Sequence, residues 1–141
     1  MNMDQTVKAH DCCKTKDARS DSYDLIVVGA GSAGFSASIT AAEAGKRVAL
    51  VGHGTIGGTC VNVGCVPKKV MWNAAVLSHA LHDAPEYGFD VSVNGHDWAA
   101  LKARRDAYIE RLNAIYARNL ANKSIESIAA SASFVDSHTI E

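Results

Sequence analysis

Six residues constrain this chain more than any others: Gly29-Ala30-Gly31-Ser32-Ala33-Gly34, which fit G-x-G-x-x-G. The pattern has meaning only between a strand and a helix, and its flanks supply both. Tyr23-Asp24-Leu25-Ile26-Val27-Val28 is a β-branched run of the kind found in buried parallel strands. Ser32 to Ala44 is rich in small residues and reads as a helix, with Gly45 as its stop. Arg47 to Val51 reads as a second buried strand. Strand, glycine turn, helix and strand within about 30 residues make a βαβ unit, so the sheet is parallel. In this turn Gly29 permits the bend, Gly31 lets backbone approach a pyrophosphate, and Gly34 lets helix pack closely on strand. The first-turn N–H groups and the positive end of the helix dipole favour an anion there.

One part of the pattern is missing. An acidic residue about 20 positions on would accept hydrogen bonds from an adenosine ribose, yet Gly52-His53 stands at the end of the second strand. Losing a charge-assisted bond costs on the order of 1.5–3 kcal/mol. His53 or a main-chain carbonyl could replace it in part.

Beyond the second strand, Gly52 to Gly64 reads as a glycine-rich loop, and Cys60 and Cys65 lie in and just after it. Pro67 suits the first turn of a helix running to about His82 through Val70, Met71, Ala74, Leu77 and Leu81. Pro85 to Gly88 reads as a turn, and Phe89 to Val93 as a short extended piece. Asp97 reads as the N-cap of a long helix to about Asn122, with Trp98, Leu101, Tyr108, Leu112 and Ile115 on one stripe. Ile125 to Val135 reads as a weak strand. Met1 to Ser22 is polar, without apolar periodicity, and reads as a disordered leader.

The four cysteines form two close pairs, Cys12-Cys13 and Cys60 with Cys65. No secretory apolar core opens the chain, so the expected compartment is the cytoplasm. There, paired thiols are more often redox-active, catalytic or metal-binding than structural. A thiol at a helix start beside Lys68 is expected to favour the thiolate. Thiolate is the form that attacks a disulfide or binds a soft metal. Zinc is the competing reading, although it asks for four N/S ligands at closer spacing. A net charge of −1 offers no field for a phosphate backbone, so nucleic acid is not expected as a partner. No apolar run approaches the roughly 20 residues of a membrane span.

The stretch Gly57-Gly58-Thr59-Cys60-Val61-Asn62-Val63-Gly64-Cys65-Val66-Pro67-Lys68-Lys69, with the glycine fingerprint before it, resembles the pyridine nucleotide-disulfide oxidoreductases, a flavoprotein family. The resemblance covers Tyr23 to Glu141 and implies a Rossmann-like α/β fold. It implies that FAD is held by Gly29, Gly31, Ser32, Ala33 and Gly34 at the pyrophosphate, with Gly52, Thr59, Cys60 and Lys68 also in its site. Cys60 would exchange with substrate disulfide, Cys65 would be the charge-transfer thiolate, and Lys68 would lie near the reactive flavin nitrogen.

Within the family, Val66 to Ala75, Tyr87-Gly88-Phe89 and Arg105 to Tyr116 are similar to the glutathione reductases. That likeness implies glutathione disulfide as substrate, with Ser32 and Tyr116 beside it. Ile39 and Thr40 stand where some of those enzymes place arginines. Gly52 to Gly58 and the leader are more similar to the mercuric reductases, which implies Hg(II) as the alternative substrate, with Cys12, Cys13, Cys60 and Cys65 as its ligands. The family's subunit also carries a second glycine fingerprint for NADPH, an interface domain and a C-terminal His–Glu pair. None is found in these 141 residues. The chain is therefore expected to be a 1–22 leader plus a partial FAD-binding domain, 23–141, of a homodimeric enzyme, inactive alone. A non-catalytic flavin- or thiol-binding module is the alternative from another class.

Overall fold

The computed structural model describes residues 22–141. Its centre is a three-stranded parallel sheet in the order β1 (Leu25–Val28), β2 (Val48–Val51), β3 (Glu126–Ile128). Leu25 pairs with Val48 and Val28 with Val51, while Ala49 pairs with Glu126 and Val51 with Ile128. All four residues of β2 are buried. A continuous Val-Ala-Leu-Val run is what a central strand covered on both faces requires.

Helix α1 (Ser32–Glu43) crosses from β1 to β2 and gives the expected βαβ unit. Residues of α1, including Phe35 and Ile39, pack against the core of Val48, Leu50, Leu120 and Ile125. Ile39 is thus a half-buried residue of the α1–sheet contact. Tyr23 Oη donates to Glu126 at 2.6 Å and its ring lies under Arg47, 4.8 Å from the guanidinium carbon. These contacts fasten the segment entering β1 to the start of β2 and, across the sheet, to β3.

The long helix α4 (Trp98–Asn122) is capped by Asp97, whose carboxylate accepts from Ala100 N at 2.9 Å. Its inward stripe differs from the one the spacing suggested. Trp98 and Tyr108 are exposed, while Ile109 and Leu120 are buried and Leu101, Leu112 and Tyr116 are half-buried. The stripe runs through 101, 105, 109, 112, 116 and 120, at helical spacings of three and four. Arg105 sits on it because its stem can lie along the contact while its head reaches Asp106, 2.6 Å away.

Two further expectations change. The supposed loop contains a short helix, α2 (Gly58–Asn62), before α3 (Cys65–Asp83) begins. Phe89 to Val93 forms no strand, and the weak strand near the end is limited to Glu126–Ile128. On α3, Leu77 faces solvent rather than the interior. No helix among the described residues is long and apolar enough to cross a membrane.

Candidate functional site

The fingerprint turn sits at the carboxyl end of β1. Gly29 adopts φ +110°, open to glycine but strained for other residues, and its N–H donates to Val51 O at 2.7 Å. A Cβ on Gly34 would collide with the Gly29 carbonyl oxygen and stand 3.1 Å from Val27. Gly34 is thus the helix-to-strand packing glycine. Gly31 caps α1, leaving its first-turn N–H groups without a side-chain partner. A side chain at Gly29 or Gly31 would enter open space, so backbone here borders a groove directly.

That groove, of about 370 Å³, is lined by Gly29, Ala30, Gly31, Gly52, His53, Gly54, Thr55, Gly58, Thr59, Asn62 and Val63. Its bare backbone at the helix start fits a pyrophosphate. Its far end has no carboxylate among its lining residues. Of the residues expected around a dinucleotide, Gly29, Gly31, Gly52 and Thr59 line it, whereas Ser32 and Ala33 are exposed beside it and Gly34 packs beneath.

The cysteine segment is joined to this turn. Gly57 N donates to Ala30 O at 2.8 Å, and Gly31 and Gly57 form a parallel bridge. A Cβ on Gly58 would stand 2.9 Å from the Gly31 Cα, so two glycine turns meet backbone to backbone. Helix α2 starts at that contact and carries Cys60. Gly64 then turns the chain into α3 so tightly that a Cβ there would lie 2.9 Å from Thr59 O and 3.3 Å from the Cys60 Cα. This close approach of α3 to α2 sets Cys65, the first residue of α3, beside Cys60.

Both thiols are free; Cys60 is half-buried and Cys65 exposed. A second opening, about 400 Å³, is lined by Cys65, Lys68, Lys69 and Trp72. The Cys65 thiol is held above its ordinary pKa, first by its hydrogen bond with Cys60 and then by the Cys60 charge, while Lys68 pulls the other way. This corrects the expectation that the helix start and Lys68 would dominate at Cys65. The neighbouring thiol outweighs the lysine, which is exposed and whose charge is screened by solvent.

Tyr116, expected beside substrate, packs against Phe35 in the α1–α4 contact, with ring centroids 4.6 Å apart and the planes tilted by 47°. Cys12 and Cys13 lie outside the described residues. Among the described residues, no group of three or more His, Cys, Asp or Glu is arranged to hold a metal ion. Sequence reading missed Asn62 and Trp72 as lining residues. An asparagine midway between two cysteines was the available signal for the first.

A family model described as pyridine nucleotide-disulphide oxidoreductase matches residues 23–141. The chain belongs to that family. Its curated relatives include a glutathione reductase of Yarrowia lipolytica, 50% identical over 108 residues, covering 74% of this chain and 23% of the relative. Another, from Schizosaccharomyces pombe, is 48% identical over 115 residues, covering 80% and 25%. A third, from Debaryomyces hansenii, is 44% identical over 123 residues, covering 82% and 25%. The chain thus spans about a quarter of the length of these relatives. Within the family it is most similar to glutathione reductases.

Proposed function

We propose that residues 23–141 form the flavin-binding, dithiol-carrying part of a disulfide reductase acting on glutathione disulfide, with residues 1–22 as a leader. The observation that carries this reading is the junction of Gly31 with Gly57. It sets a dinucleotide turn and a two-cysteine helix start against each other.

The Gly29–Gly31 backbone and the first turn of α1 hold the pyrophosphate of FAD, with Gly52 and Thr59 along the same groove. Bound FAD supplies the electrons that return the protein disulfide to the dithiol; they originate from NADPH, whose site lies outside this chain. The Cys60 thiolate attacks one sulfur of the substrate disulfide and displaces one glutathione thiolate. Cys65 then attacks Cys60, releases the second thiolate and closes the intramolecular disulfide. Lys68, on the first turn of α3 beside Cys65, provides positive charge where a Cys65 thiolate forms. The complete reductase is a homodimer in this reading.

The test is oxidation of the purified chain with glutathione disulfide, followed by peptide mass spectrometry. One intramolecular Cys60–Cys65 disulfide is expected. Two free or separately glutathionylated thiols in folded protein refute the reading. Yellow protein with a flavin absorption band supports the cofactor assignment, whereas colourless protein that takes up no FAD favours a plain thiol-binding module.

A further inference from the structure

Asn62 lines the dinucleotide groove, yet its amide is committed to the protein. Its Nδ2 donates to Ile56 O at 3.2 Å and to Gly58 O at 2.9 Å. Both partners are carbonyl oxygens, so the network fixes which end of the amide is nitrogen. Its Oδ1 accepts from Asn113 Nδ2, on α4, at 2.9 Å across 51 residues of sequence. Asn62 therefore supports the groove's wall rather than offering its amide hydrogens to a ligand.

What that amide ties together is a bend with little stiffness of its own. Gly57 and Gly58 adopt φ of +96° and +60°, and glycine backbone moves among such conformations at small cost. The bend is also where the two glycine turns meet. Gly57 N donates to Ala30 O at 2.8 Å, and a Cβ on Gly58 would stand 2.9 Å from the Gly31 Cα. Gly31 and Gly58 both line the groove.

Helix α4 contributes no residue to that lining, yet it braces both walls. Three residues beyond Asn113, Tyr116 packs against Phe35, whose N–H donates to Gly31 O at 2.9 Å. Asn113 holds the other wall through Asn62. Its own Oδ1 is buried with no donor to it among the described residues, so the bond to Asn62 is what orients its amide.

We infer that Asn113 is a positioning residue for the dinucleotide groove: through Asn62 it holds the Gly57–Gly58 bend against Gly31, at the pyrophosphate end. The inference rests on the FAD reading above. Asn113→Asp keeps the shape but replaces the donor with an acceptor, because a carboxylate is ionised at neutral pH. Asn62 must then turn its NH2 toward the carboxylate. That turn aims its oxygen at the Ile56 and Gly58 carbonyls and breaks both bonds. Asn113→Leu only removes the donor and leaves the Asn62 amide facing as before.

The full chain is titrated with FAD by fluorescence quenching, at a temperature where thermal melting shows each variant folded. Asn113→Asp should bind FAD about tenfold more weakly than the parent, and Asn113→Leu about threefold more weakly. In an Asn62→Ala background, Asn113→Asp should add no further loss, because the effect passes through Asn62. In the NMR spectrum of isotope-labelled chain, the Asn62 side-chain amide signals, identified by their loss in Asn62→Ala, should shift in Asn113→Asp. A lower stability alone would not turn that amide.

Parent-like FAD affinity in both Asn113 variants overturns the inference, even where they melt earlier. An equal loss with Asn62 absent overturns it too, as do unmoved amide signals in folded Asn113→Asp. If Asn113→Asp does not fold, Asn113→Leu decides by its FAD affinity. A parent chain that takes up no FAD sinks the cofactor reading and the inference with it. A parent that binds FAD with unmoved variants sinks the inference alone.

Discussion

Restoring a carboxylate at the end of β2 should not tighten FAD by itself, because the space beside it is already taken. A Cβ on Gly52 falls 3.1 Å from both the Cβ and the N of Ala30, a few tenths of an ångström inside comfortable contact. The Glu of Gly52→Glu would gain a charge-assisted bond to the ribose of about 1.5–3 kcal/mol. Crowding of this kind costs about 1–3 kcal/mol, so the two nearly cancel and affinity should stay within a few-fold of the parent. Ala30→Gly removes the methyl contact and leaves only the backbone one. The double variant Ala30→Gly/Gly52→Glu should therefore bind FAD more tightly by about 1–2 kcal/mol, or about five- to thirtyfold. Quenching of FAD fluorescence on titration with apoprotein measures both. Equal tightening in the single and the double variant refutes the crowding argument. No change in the double variant means that another group, such as His53, already satisfies the ribose.

Three other outcomes follow from the geometry. Gly34→Ala pushes a methyl into the Gly29 carbonyl and should lower stability by about 1–3 kcal/mol; an unchanged melting temperature contradicts it. Leu120→Ala empties a position only 2% exposed in the core and should cost about 2–5 kcal/mol in urea unfolding, whereas a cost under 1 kcal/mol would mean that the site collapses around the gap. Cys60→Ala removes the main cause holding the Cys65 thiol protonated. Cys65 should then ionise at lower pH, and its iodoacetamide alkylation profile should move downward; a profile that stays or moves up refutes the stated cause.

What was legible in the sequence were features whose causes are local. The βαβ unit follows from a β-branched run, a glycine turn and a small-residue helix, all within one short window. The start of α4 follows from Asp97, because an N-cap acts on an amide three residues away. The face of α4 was less legible, since Trp98 and Tyr108 fit the helical period nearly as well as Ile109 and Leu120. Only the position of the sheet decides between them. Helix α2 was hidden because Gly57, Gly58 and Gly64 read as loop residues, yet Gly58 and Gly64 are glycine for a close backbone approach, and Gly57 for its φ of +96° and the Val61 side chain packed against it. The Asn62–Asn113 bond joins residues too far apart in sequence for any pattern to connect. The Cys65 thiol was misjudged for a related reason: its dominant neighbour, Cys60, is brought near by Gly64 rather than by helical spacing.

The complete burial of β2 has a consequence for how the chain is made. As synthesis proceeds from the amino end, β1, α1 and β2 emerge early, but Leu120 and Ile125, which cover β2, come more than sixty residues later. Strand β3, which pairs with the second edge of β2, arrives with them. At synthesis rates of about 5–20 residues per second, an apolar Val-Ala-Leu-Val strand with one open edge waits several seconds for its cover. Such an edge is a template for pairing with another chain. The nascent protein is therefore most exposed to aggregation and chaperone capture between the appearance of Val51 and that of Ile128.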